Sequence, residues 1–214
     1  MSCPWPITIA VDWNGTIVDD RERAWLSTNE ALTSRGHSDL VIPDLDRFMT
    51  VFRLPLTTFF AQLGVPSVDA SPCSEAWNEA MLARPTQLAT GARELLEAAN
   101  QSRVPVVVVS GAHESVVLRD AAKLSVLHLI TRVHGAVHPK REVLRRYASR
   151  GALTYIGDTG YDINEGLAAG AHTIAVGNGY GKSSELEHAH GLVYDLAMIA
   201  RSRGWSPETP TKPT

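Results

Sequence analysis

Short apolar runs rich in β-branched residues recur at Ile7–Val11, Val104–Val109, Leu153–Ile156 and Thr173–Val176, and each is followed by Asp, Ser or Gly. Runs of this length without polar alternation predict strands buried on both faces, as in a parallel sheet. Between them the apolar positions take a helical period over Ala92–Gln101, His113–Leu124, Lys140–Arg150 with Pro139 at the first turn, and Asp162–Ala169 closed by Gly170. Strands alternating with helices predict an α/β fold, a Rossmann-like parallel sheet wound with helices. The stretch 19–90 breaks this rhythm: Arg21–Ser34, Leu56–Leu63 and Glu75–Ala83 read as helices, and no strand stands out. The expected organisation is therefore a core at 1–18 and 91–205, an inserted helical cap at 19–90, and a tail at 206–214. That tail is rich in Pro, Thr and Ser and has little to bury.

Composition narrows the partners. A chain of 214 residues holds a full core. Its formal net charge is −3 and its 20 basic residues are scattered, so neither nucleic acid nor an anionic membrane surface is an expected partner. A small soluble molecule fits better; oligomeric state is not written in the pattern. No charged leader precedes an apolar stretch, and no apolar run approaches the roughly 20 residues of a membrane span, so a cytoplasmic protein is expected. Cys3 and Cys73 make neither a metal-ligand spacing nor a disulfide framework, in keeping with a reducing compartment.

Ligands of open α/β sheets collect at the carboxyl ends of the strands, and the suggestive residues fall there. Asp12 follows the first run within Asp12-Trp13-Asn14-Gly15-Thr16, Ser110-Gly111 follows the second, and Asp158 follows the third within Gly157-Asp158-Thr159-Gly160-Tyr161-Asp162. One polar residue at a strand end is ordinarily a turn or a helix cap, and a lone Lys such as Lys140 is ordinarily solvated. The weight lies in their joint order. Asp158 and Asp162, four residues apart across a turn and a first helical turn, can face one cleft, and Mg²⁺ prefers such oxygen ligands.

These segments resemble the four motifs of the haloacid dehalogenase (HAD) superfamily, most closely its phosphoglycolate phosphatase-like branch, whose helical C1-type cap is inserted just after the first motif. The resemblance covers nearly the whole chain. It implies a HAD-like core and a Mg²⁺-dependent phosphatase acting on a small phosphorylated metabolite such as a sugar phosphate, a phosphoglycolate-like acid or a nucleotide. It assigns Asp12 as the nucleophile that forms an aspartyl phosphate, and Ser110, Gly111 and Lys140 as holders of the phosphoryl oxygens. Thr16 would help to hold the first loop and the substrate. The metal set would be Asp12, the backbone carbonyl of Asn14, and Asp158, with Asp162 in support. The cap would gate access and set specificity.

Asn14 departs from the pattern, because these phosphatases carry a second Asp there that protonates the leaving alkoxide and later activates water. An amide does neither, and general acid–base assistance is worth about 10²–10⁴-fold. The readings left open are a weakened phosphatase, a substrate with a good leaving group, an acid supplied by a neighbour such as His113, or a phospho-ligand-binding or regulatory protein.

Other features read more plainly. Gly177-Asn178-Gly179-Tyr180-Gly181-Lys182-Ser183 is one residue short of a phosphate-binding P-loop and reads as a Gly-rich connection into a helix capped by Ser184, with Glu187 three residues later. His188 and His190, two apart on that helix, would face different sides and lie at the surface. Trp25, Phe48, Phe52, Phe59, Phe60 and Trp77 read as packing within the cap. Arg21, Arg23 and Arg53 are candidate cations toward an anionic substrate, with solvent exposure the simpler expectation.

Overall fold

A computed structural model describes residues 8–53 and 55–202. Ile7, Cys3 and the tail at 206–214 lie outside the described residues. By contact density the chain divides into two compact units, 1–19 with 87–214, and 20–86.

The first unit opens with β1 (Thr8–Val11) and the short β2 (Val18–Asp19). The second unit then runs through α1 (Arg21–Ser34), α2 (Leu45–Val51), α3 (Leu56–Leu63) and α4 (Ser67–Ala83). The chain returns to the first unit with β3 (Gln87–Leu88), α5 (Ala92–Gln101), β4 (Val106–Val109), α6 (Glu114–Lys123) and β5 (Arg132–His134). It continues with α7 (Arg141–Ala148), β6 (Leu153–Gly157), α8 (Gly160–Ala168), β7 (His172–Val176), α9 (Ser183–Leu186), β8 (Gly191–Val193) and α10 (Ala197–Ser202).

Six strands form one parallel sheet in the order β5-β4-β1-β6-β7-β8. The period of two along each strand sends alternate residues to opposite faces. Ile9, Val11, Val106, Val108 and Ile156 join one core cluster with Leu95 and Leu96 of α5 and Ile199 of α10. Ala10, Val107, Val109 and Tyr155 join another with Leu144 of α7. Helices thus cover both faces, which is the physical reason the strands read as unbroken apolar runs. This is a HAD-like α/β fold of the Rossmann type. Because β1 is central and all six strands run the same way, Asp12, Ser110 and Asp158 emerge at one end of the sheet on the adjacent strands β1, β4 and β6. The outer strands β5 and β8 had no counterpart among the expected elements. They are three residues long, and Val133 is the one buried residue between them, so they leave no apolar run to read.

β2 and β3 pair antiparallel, Val18 with Leu88 and Asp19 with Gln87. This pairing places the unit boundaries at 19/20 and 86/87, inside the 19–90 span drawn from the pattern.

In the helical unit α4 starts at Ser67, well before the expected Glu75, and carries Pro72 within it. A proline removes one helical N–H donor, yet here it does not end the helix. The aromatic residues pack as expected: the ring centroids of Phe48 and Phe52 lie 4.8 Å apart, those of Phe52 and Phe59 5.1 Å, and Trp25 Nε1 donates to the Ile42 carbonyl at 2.9 Å. Cys73 is a free, buried thiol in this unit. The expectation of solvent exposure fails for Arg23. It is buried, and its guanidinium donates to the Met81 carbonyl, at 2.8 Å from Nε and also from Nη2.

No helix among the described residues is long and apolar enough to cross a membrane.

Candidate active site

The end of β1 is built by alternation and a tight turn. Trp13 continues the apolar face of Ile9 and Val11 and is fully buried in their cluster, so Asp12 is left at the strand end. The N–H groups of Thr16, Ile17 and Val18 all converge on the Trp13 carbonyl, at 3.3, 2.9 and 3.0 Å. Asn14 is half-buried at the head of this turn, and Gly15 takes the left-handed conformation at φ +72. A Cβ on Gly15 would lie 2.3 Å from Asp158 Oδ2, so both conformation and space demand glycine.

Asp12 Oδ1 accepts from its neighbour's Trp13 N–H at 2.7 Å and lies 2.9 Å from Lys140 Nζ. Lys140, immediately before α7, is itself buried, and its ammonium also donates to Asp162 Oδ1 at 2.6 Å. Its backbone N–H donates to the Tyr161 hydroxyl at 3.2 Å. Asp162 is the most heavily engaged carboxylate. Oδ1 also accepts from the Tyr155 hydroxyl at 2.8 Å, and Oδ2 accepts from the Thr159 hydroxyl and, at 3.3 Å, the Thr159 N–H. The same Thr159 and Asp162 form the capping box of α8, so the helix start and the carboxylate's position are one construction.

Asp158 is fully buried between two donors: Thr16 Oγ1 reaches its Oδ1 at 2.8 Å, and the Tyr180 N–H reaches its Oδ2 at 2.7 Å. The loop that carries Tyr180 fits only because of its glycines. A Cβ on Gly179 would lie 2.2 Å from Asp158 Cβ, and one on Gly181 would lie 2.2 Å from the Asp158 carbonyl oxygen. The near P-loop is thus a sleeve around a carboxylate. The helix after it starts at Ser183 with Lys182 at its cap and Glu185 three residues on, two positions before the expected Ser184 and Glu187. It ends at Leu186, so His188 and His190 lie in the following turn and not on a helix; His190 stacks on His172 at 4.7 Å.

Of the residues singled out from sequence, the structure gathers Asp12, Thr16, Lys140, Asp158 and Asp162 into one hydrogen-bonded cluster. Ser110 and Gly111 share the strand end, but the bonds of Ser110 are local: its N–H donates to the His134 carbonyl at 3.0 Å and its hydroxyl accepts from Ala112 N–H at 3.2 Å. Gly111 is exposed, with open space where a Cβ would stand. His113 caps α6, its Nδ1 accepting from Ser115 N–H at 3.3 Å. Tyr155, Thr159, Gly179 and Tyr180 belong to the cluster without having been singled out. Tyr155 lay within an apolar run, Thr159 stood between the two carboxylates of the 157–162 motif as an ordinary helix cap, and the glycine spacing of the 177–181 loop was the hint at Gly179 and Tyr180.

The electrostatics follow from a count of charges. Carboxylate oxygens of Asp12, Asp158 and Asp162 lie within 4.8 Å of one another, all buried, and one ammonium serves them. Burial opposes the charge on Lys140, but Asp12 and Asp162 on either side outweigh it and hold the ammonium firmly protonated. Asp162 is also desolvated, yet Lys140, Thr159 and Tyr155 bring it below the usual carboxylate range. Asp12 shares Lys140 with a stronger competitor, and burial pushes its carboxyl up to about 6. Among the described residues no cation pairs with Asp158, and burial beside Asp162 and Asp12 raises it well above its ordinary value. Fully ionised, three carboxylates and one ammonium would leave two negative charges uncompensated in a buried place, and the raised carboxyls of Asp12 and Asp158 are the response to that excess. A divalent cation is the group this donor set fits, since all the donors are hard oxygens.

The sequence matches the haloacid dehalogenase-like hydrolase family over residues 9–176, and the chain belongs to that family. Solved structures resemble it over most of its length. A haloacid dehalogenase-like family hydrolase from Streptococcus pneumoniae is 19% identical, with 91% of this chain and 97% of that one covered and a TM-score of 0.79. A predicted phosphoglycolate phosphatase from Haemophilus somnus is 17% identical, with 92% and 97% covered and a TM-score of 0.78. The CbbY protein of Rhodobacter sphaeroides, solved in complex with phosphate, is 15% identical, with 91% and 96% covered and a TM-score of 0.72. At these identities the likeness is one of fold. No protein of curated function matches the sequence significantly.

Proposed function

We propose that the chain is a Mg²⁺-dependent phosphatase that hydrolyses a phosphate monoester of a small metabolite through an aspartyl phosphate on Asp12. One observation carries this reading: a buried ammonium bridges Asp12 and Asp162 while Asp158 stands beside them without a cation. Structural carboxylates are normally neutralised by their partners; here the deficit is left for a ligand.

Asp12, Asp158 and the backbone carbonyl of Asn14 would hold the metal, which when bound supplies Lewis-acid neutralisation of phosphoryl oxygen charge. Asp12 attacks phosphorus in line, and the P–O bond to the leaving group breaks as the bond to the carboxylate forms. Lys140 shields Asp12 from the incoming anion and stays protonated through its second carboxylate. Asp162 holds that ammonium in place without needing to touch the substrate. Thr16 and the Tyr180 N–H fix the rotamer of Asp158. Ser110 and Gly111, on the neighbouring strand end, are assigned to the phosphoryl oxygens. These groups see only the phosphoryl part, so we assign selection of the metabolite to the inserted helical unit acting as a cap.

The test is phosphate release from a panel of sugar phosphates, nucleotides and small phospho-acids, with and without Mg²⁺ and against Asp12→Asn. Metal-dependent release lost in that variant supports the proposal. Absence of release above the variant from every compound would leave the second reading, a phospho-ligand-binding protein, which Asn14 favours.

A further inference from the structure

A phosphoryl group moves to Asp12 only if its leaving group can depart, and an alkoxide departs poorly without a proton. Trp13 is committed to the core, so the next polar side chain along the loop after Asp12 is the amide of Asn14, which has no acidic proton to give. The neighbouring groups of the core unit are already occupied. Asp162 accepts from Lys140, Tyr155 and Thr159; Asp158 accepts from Thr16 and Tyr180. The Lys140 ammonium is divided between two carboxylates, and the Tyr155 hydroxyl points its proton at Asp162. His113 turns its Nδ1 to the start of its own helix, and His138 turns its Nδ1 to the Tyr161 hydroxyl at 2.9 Å. A carboxylate that holds a metal has lost its proton. Among the described residues, the groups bonded into the Asp12 cluster thus suit the binding and attack of a phosphoryl group but offer its leaving group no proton.

We infer that the donors this site turns over are phosphoryl compounds whose leaving group departs as a weakly basic anion, a carboxylate, enolate or phenolate, and not as an alkoxide. The inference rests on the phosphatase reading above. The conjugate acids of such groups have pKa values of about 4 for a carboxylic acid and about 10 for a phenol, whereas water, the nearest guide to an alcohol, lies far above both. In the first step an Asp12 oxygen bonds to phosphorus, and the P–O bond to the leaving group breaks with its electron pair leaving on that oxygen. In the second, water attacks the aspartyl phosphate, the P–O bond to Asp12 breaks to restore the carboxylate, and the water's proton passes to solvent. Asn14 cannot activate that water either. The first step is therefore fast for a good leaving group and the second slow, so the phosphoenzyme accumulates.

The experiment measures kcat/KM with Mg²⁺ for acetyl phosphate, p-nitrophenyl phosphate, phenyl phosphate and glycerol 1-phosphate. Wild type and Asn14→Asp are compared, with Asp12→Asn as the blank. Wild-type rates should fall steeply as the leaving group becomes more basic. Asn14→Asp should raise kcat/KM for glycerol 1-phosphate by about 10²–10⁴-fold and that for acetyl phosphate by less than about tenfold. Rapid-quench intact mass with acetyl phosphate should show a phosphorylated wild-type protein and much less of it in the variant. Asp12-dependent turnover that is as fast on glycerol 1-phosphate as on acetyl phosphate would overturn this inference alone. Turnover of no donor above the blank would overturn the phosphatase reading beneath it. The wild-type series decides the point even if Asn14→Asp does not fold.

Discussion

Removing the charge of Asp12 should abolish turnover and yet make the metal-free protein more stable. Burial among like charges raises the Asp12 carboxyl from 3.8 to about 6, even with Lys140 pulling it down. A rise of about two pKa units corresponds to about 3 kcal/mol by which the folded state prefers the neutral form. The sign follows from linkage. An acid whose folded pKa lies above its unfolded value adds stability while protonated. That contribution is complete below about pH 4 and is lost as pH rises through about 6. At neutral pH the ionised Asp12 therefore weighs against folding, and Asp12→Asn, which imitates the neutral form, removes the penalty. The loss of the Lys140 ion pair is already contained in the shift. For a chain of this size, about 3 kcal/mol moves the melting temperature by roughly 5–10 °C. Thermal melts in a chelator should show the variant melting higher at about pH 7.5, with the gap about halved near pH 5. Millimolar Mg²⁺ should narrow the gap by stabilising the wild type preferentially. A variant melting at or below wild type at neutral pH in chelator, or a gap that ignores pH, would refute the charge count.

Three other perturbations probe separate parts of the molecule. Lys140→Met removes the ammonium that pairs with Asp12 and Asp162 beside a third buried carboxylate. It should lower the metal-free stability by about 3–5 kcal/mol in urea titrations and phosphate release by at least about 10²-fold. Gly179→Ala places a methyl 2.2 Å from Asp158 Cβ, so calorimetric Mg²⁺ affinity should fall about 10–100-fold. Gly111→Ala, into open space, should leave stability within about 0.5 kcal/mol of wild type. In the helical unit Arg23→Met deprives the buried Met81 carbonyl of both guanidinium bonds and should cost about 1–3 kcal/mol, read as a lower urea midpoint.

What the sequence made legible followed from burial on both faces. The central strands β1, β4, β6 and β7 are apolar without alternation because helices cover each side, and α1, α3 and α5 fall on the residues their period predicted. What it hid were elements whose stability comes from neighbours. β5 and β8 exist because β4 and β7 offer them a ladder, and α4 runs through Pro72 because it packs on α1 and α3, a tertiary override of local propensity. In the site the charged residues were legible one by one at strand ends. Their neutral supports were not, since the Tyr155 hydroxyl lies inside an apolar strand and Thr159 reads as an ordinary cap.

The Gly-rich loop shows how a motif can state a physical need without naming its object. In a P-loop the glycines lack a Cβ so that backbone can close around phosphate. At Gly179 and Gly181 the same lack of a Cβ lets backbone close around Asp158, and the Tyr180 N–H between them donates to its carboxylate at 2.7 Å. Gly15 does likewise from β1, with Thr16 Oγ1 donating from that side. Asp158 is therefore gripped by neutral donors on two sides while Lys140 is spent on Asp12 and Asp162. Neutral donors hold a carboxylate in place without cancelling its charge. The glycines keep the rotamer of Asp158 fixed and leave its oxygens to neutral donors, which is the condition a divalent cation needs and which a lysine at Tyr180 or Thr16 would have destroyed.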